Sequence, residues 1–152
     1  MRKSFAKLLT LTAAIAAVVA IPVVQAGAAT NHVTNTTILS NTVETHGQVS
    51  IDAGIVHDKA LGRGAALLFV KPGSASDKLD VSAKIWYDAG TLRASGSITF
   101  VVNPDGTVTF TGNAHYIGGS GKFRGVTGNL KINGTIATDG LATTHAKGNA
   151  RY

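Results

Sequence analysis

The chain of 152 residues contains no cysteine, so no disulfide can form and no thiolate can ligate a metal. Carboxylates are scarce as well. Glu44 is the only glutamate, and the aspartates stand at 52, 58, 77, 80, 88, 105 and 139. A glycosidase needs two facing carboxylates at a controlled separation, and no two of these are paired by spacing. The basic residues are scattered singly, without a run of three, which argues against a nucleic-acid footprint. The histidines at 32, 46, 57, 115 and 145 form no His-x-His or His-x-x-x-His pair, so no metal site and no cofactor is expected. No Gly-x-Ser-x-Gly elbow is present, so no hydrolase signature is found. After residue 30 no segment sustains a period of 3.6, which excludes a helical domain.

What is present begins with an address. "MRKSFAK" supplies Arg2, Lys3 and Lys7, an apolar run follows from Leu8 to Val24, and the small residues of "QAGAAT" come next. This is the order of a secretory signal. The run also reaches about the minimum length of a membrane span, so a retained anchor is the rival reading. Pro22 and the small residues favour cleavage near residues 26–29. Residues 1–28 are therefore read as the signal peptide and residues 29–152 as one domain, secreted or periplasmic, with no membrane attachment after cleavage. About 124 residues remain, enough for one core. Three of the fourteen Lys and Arg lie in the leader, so the domain carries only about +3.

The domain alternates between apolar and polar residues, with Thr, Val, Ile and Gly abundant and turn signals between the runs. In "LDVSAKIWYD", Leu79, Val81, Ala83, Ile85 and Tyr87 share one face. In "TLRASGSITFVV", Leu92, Ala94, Gly96, Ile98, Phe100 and Val102 do. Asn103-Pro104-Asp105-Gly106 then suits a type I turn closed by a glycine bulge. "TVTFTGNAHYI", "NLKINGTIAT" and "LATTHAKGNARY" continue the pattern, while "HVTNTTIL", "THGQVSID" and "GRGAALLFVK" are the earlier candidates. The last is apolar on both faces, which asks for an outside partner over Ala65–Val70 such as another subunit. About eight antiparallel strands either close into a small barrel or form a sandwich. Glycines 96, 112, 134 and 148 on the inferred inner face favour a barrel with interior room.

The stretch "IGGSGKFRGVTGNL", residues 117–130, contains the letters of a phosphate loop. A P-loop would place Gly where Tyr116 stands and Ser or Thr where Phe123 stands, and would be followed by a helix. The continuation is β-like, and the Rossmann spacing fails at Arg124. A glycine-permitted turn between strands is the reading that remains. The same residues resemble the Gly-Gly-Thr-Gly-Lys-Phe-Arg segment of dirigent proteins and the related allene oxide cyclase barrels. Gly118, Gly119, Gly121, Lys122, Phe123 and Arg124 match, with Ser120 in place of Thr. The plant segment continues Ala-Arg-Gly, whereas Val126-Thr127-Gly128 stands here, so the second Arg is missing. The resemblance implies an eight-stranded antiparallel barrel, usually a homotrimer, with an apolar pocket. Dirigent proteins steer the coupling of phenolic intermediates and the cyclases close an oxylipin ring, so the resemblance transfers fold more firmly than chemistry.

The expected protein is an all-β, single eight-stranded barrel that binds a small apolar or phenolic ligand without catalysis. A cyclase or isomerase in the same pocket, or a filled barrel serving as a structural or surface-interaction protein, are the alternatives. Strand parity nominates Phe100, Phe110, Tyr116 and Tyr152 for the pocket, and Arg124 is the cation that could stand at its mouth.

Overall fold

A computed structural model of the chain describes residues 28–152; all but the last residue of the segment read as a signal peptide lies outside them. Eight strands run in chain order: β1 (Asn31–His46), β2 (Val49–Asp58), β3 (Gly62–Pro72), β4 (Lys78–Tyr87), β5 (Gly90–Val102), β6 (Val108–Gly119), β7 (Asn129–Ile136) and β8 (Ala142–Arg151). Each pairs antiparallel with its sequence neighbour. β8 returns to β1 in a register from Asn31↔Arg151 to Ser40↔Ala142, which closes a barrel and excludes the sandwich.

The alternation read from β4 onward sets the two faces. Leu92, Ala94 and Ile98 of β5 and Phe110, Ala114 and Tyr116 of β6 are buried inside. The Pro-Asp-Gly hairpin forms as expected: Asn103 N–H donates to Thr107 O at 2.8 Å, Gly106 has φ 82°, and the Asp105 carboxylate accepts from Thr107 N–H at 3.0 Å. One early segment differs. "THGQVSID" is not a strand but crosses the β1–β2 turn, where Gly47 takes φ 60°, and β2 runs on to Asp58. A run rich in Thr, Val and Ser hid a two-residue hairpin turn, because Gly47-Gln48 is a weaker signal than Asn-Gly.

The glycine-rich stretch forms the closure of one barrel end. Gly118, Gly121, Gly125 and Gly128 all have positive φ (137°, 60°, 72° and 139°), so the glycines serve the backbone. Gly121–Phe123 makes one 3₁₀ turn, which sets Phe123 into the end of the barrel with no exposed surface. Its ring lies edge-on to Tyr152 at 5.0 Å and to Tyr87 at 6.0 Å. Tyr152 stacks on His32 at 4.4 Å. Together with Val126 and Leu61 these side chains plug that end.

Gly134 has a different task. It lies opposite Phe110, and a Cβ there would overlap the Phe110 ring and the Thr143 carbonyl. The missing side chain lets the ring lie across the inner wall. On the outside, Leu39, Ile55, Ala65 and Trp86 stand in register across β1–β4, with Phe69 nearby on β3. Ile55 is 61% exposed. This is the outward apolar surface that the two-faced pattern of β3 anticipated.

Candidate functional site

Above the plug the barrel is hollow. The cavity has a volume of about 230 Å³. Its walls are aliphatic, including Ile38, Leu68, Ile85, Leu92 and Leu130, and Phe110 contributes the aromatic surface. Tyr87, Tyr116 and Thr36 form the end next to the plug. Ser40, Thr42, Ser50 and Asp52 line it toward the other end, where Thr42 is exposed and its hydroxyl donates to the Asp52 carboxylate at 2.8 Å. Asp52, Tyr87 and Tyr116 are the only lining residues that titrate.

Of the residues nominated from the sequence, Phe110 and Tyr116 line this cavity. The other three do not. Phe100 pairs with Phe110 across β5 and β6 but is only half-buried, beyond the cavity. Tyr152 is inward yet spent in the plug between His32 and Phe123. Arg124 follows the 3₁₀ turn and is exposed. Lys122 is exposed too, with its ammonium 5.8 Å from the Tyr152 ring centre.

A buried polar cluster beneath the cavity was not anticipated. Asp58 is 1% exposed. Its Oδ1 accepts from Ala60 N–H at 2.8 Å and Leu61 N–H at 3.1 Å. Its Oδ2 accepts from the Thr36 hydroxyl at 2.6 Å and Asn35 N–H at 3.1 Å. One carboxylate thus closes the β2–β3 turn and ties it to β1. Continuing the alternation through Val56 would have turned Asp58 inward, but the hairpin hidden in "THGQVSID" obscured where β2 ends.

The phenols around Asp58 are held in their neutral form. Burial pushes Tyr87 far above the ordinary phenol range, and the negative charge of Asp58 adds to it. Burial raises Tyr116 as well; the Thr34 hydroxyl, which accepts from Tyr116 O–H at 3.5 Å, offsets part of this, and Asp58 again raises it. Tyr152 is raised by burial and then by Asp58. The Thr36 hydroxyl is near enough to Tyr87 to temper its shift but is turned to Asp58, and the buried Tyr87 oxygen has no hydrogen-bond partner.

An orphaned buried hydroxyl is costly, so Tyr87→Phe is expected to raise stability by about 1 kcal/mol. The unfolded chain releases this proton near pH 10.0, while the fold retains it to higher pH. Stability therefore falls as the pH climbs above 10.0, and the fall is shallower in Tyr87→Phe. Urea titrations at neutral and alkaline pH check both; a destabilised variant would show that the hydroxyl has a partner after all.

Comparison with protein-family models, curated proteins and solved structures finds no match to this chain. The chemistry of the site must be argued from its own residues. Among the described residues, no histidine lines the cavity and Asp52 is its one carboxylate. Among the described residues, no three His, Cys, Asp or Glu side chains come together as a metal site.

Proposed function

We propose that the protein is a secreted, dirigent-like barrel that binds one small, neutral, apolar or aromatic molecule and does not transform it. The observation that carries this reading is the cavity of about 230 Å³ with aliphatic walls. An apolar cavity of about 150 Å³ suffices for benzene, so a substituted ring fits here. Asp52 at one end and Asp58 beneath the other disfavour an anionic ligand. Conversion of the ligand, as in a cyclase or isomerase, has little support. Asp52 and the phenols of Tyr87 and Tyr116 are the acid–base groups at the cavity, and the two phenols are held neutral by burial. The outward row Leu39, Ile55, Ala65 and Trp86 supports assembly of the barrels, with a homotrimer as the reading the family resemblance favours.

One measurement addresses both parts. Native mass spectrometry of protein purified from its own source is expected to show chains in threes, each with one small organic adduct. Bare trimers would remove the ligand, and loaded monomers at micromolar concentration would remove the assembly.

A further inference from the structure

Charge is segregated around the barrel. β5, β6, β7 and β8 contain no Asp or Glu, and neither do residues 31–43 of β1. The carboxylates fall on β2, β4, the far end of β1 and the turns. Among the described residues the carboxylates meet basic side chains at Glu44–His46, a charged pair only with the imidazole protonated, and at Lys71–Asp80, and neither reaches the carboxylate-free face.

At the centre of that face, one row of outward residues runs straight across four strands: Asn113, Lys131, Lys147 and Asn35. The two lysines are directly opposite each other and exposed. Like charges so placed repel each other, and no carboxylate stands in the groove around them. The next row is Thr111, Asn133, His145 and Thr37, with His145 Nδ1 3.1 Å from the Thr37 hydroxyl. Amides therefore stand at both ends of the lysine pair, and amides and hydroxyls line the row on one side of it.

We infer that this face is a binding surface for an acidic polysaccharide, an extended glycan bearing carboxylates. The charge is complementary, and the neutral side chains are those that exchange hydrogen bonds with sugar hydroxyls. Strands stand about 4.8 Å apart, so the row covers about 14 Å, a spacing that matches successive sugars of an extended chain. A nucleic acid fits less well. It needs a denser run of cations and, when single-stranded, aromatic platforms for its bases. Among the described residues, the groove lining contains no Phe, Tyr or Trp.

Calorimetry at low salt with a short oligogalacturonate tests the surface, with an uncharged malto-oligosaccharide and an oligo(dT) of equal length as comparisons. The oligogalacturonate is expected to bind, and added salt to weaken it. Lys131→Gln/Lys147→Gln is expected to lose about tenfold in affinity and to melt no lower than the parent, since a repulsive pair is removed. Arg63→Gln/Lys84→Gln, with the same change of charge on the exposed outer faces of β3 and β4, is expected to bind as the parent does. The inference is overturned by equal binding of the uncharged glycan, by tighter binding of oligo(dT), by equal losses in the two double variants, or by no binding at all.

Discussion

Replacing Asp58 by alanine is expected to destabilise the barrel by about 3–5 kcal/mol. The carboxylate accepts four hydrogen bonds, three from backbone N–H groups and one from Thr36. Removing it leaves those donors without partners, the Thr36 hydroxyl buried and the three amides partly so. An unmade buried hydrogen bond costs about 1–3 kcal/mol, and the four share one centre, so the losses do not simply add. Asparagine separates charge from shape. Its carbonyl can serve one pair of donors, but its NH₂ then faces the other pair, so Asp58→Asn is expected to fall between the parent and Asp58→Ala. The Tyr116 and Tyr152 phenols should also titrate closer to their ordinary range in Asp58→Asn, because the charge that raises them is gone. Urea midpoints with an unchanged m-value would measure the first effect, and ultraviolet titration the second. A loss below about 1 kcal/mol for Asp58→Ala would mean that water or the chain replaces the carboxylate at little cost.

The second large effect is at Phe123, where Phe123→Ala is expected to cost about 3–5 kcal/mol. No part of this residue is exposed, and its ring meets Tyr152 and Tyr87 edge-on at 5.0 and 6.0 Å. The neighbours are the barrel wall and the Tyr87 and Tyr152 rings, so they can collapse into the void only in part. The cavity above would gain the volume of the lost ring. Lys122→Ala and Arg124→Ala are the internal controls. Both side chains are exposed, and each change should stay within about 0.5 kcal/mol. Thermal unfolding of the three variants side by side would settle the comparison. Near-equal losses across the three would mean that the segment acts through its backbone alone. The expected contrast gives the motif "GGSGKF" a physical reading: the glycines make the turn and the phenylalanine is what the turn delivers.

These two residues also mark how far the sequence was legible. Alternation in β4 to β8 identified the inward faces, because a period of two reports which side of a sheet a residue occupies. It does not report height along the barrel axis. Phe100, Phe110 and Tyr152 share the correct parity, yet only Phe110 reaches the cavity. Height depends on the stagger between strands, which appears only when their registers are paired around the closed barrel. Arg124 belongs to a turn, where parity has no meaning. Asp58 was hidden by a different cause. Its carboxylate closes the β2–β3 turn by accepting from Ala60 and Leu61, but the hairpin inside "THGQVSID" obscured where β2 ends. Its burial comes from β1, which the barrel brings across it from more than twenty positions away.

The seam between β1 and β8 has a bearing on how such a chain is made. Thr30 and Tyr152 exchange backbone hydrogen bonds at 2.9 and 3.2 Å, so β1 waits for partners on β8 that leave the ribosome after the other strands. Until β8 arrives, β1 and β7 are bare edges rich in unpaired amides, and such edges recruit other chains. Secretion of the unfolded chain, which the proposed function implies, would postpone that hazard until the whole ring can close at once.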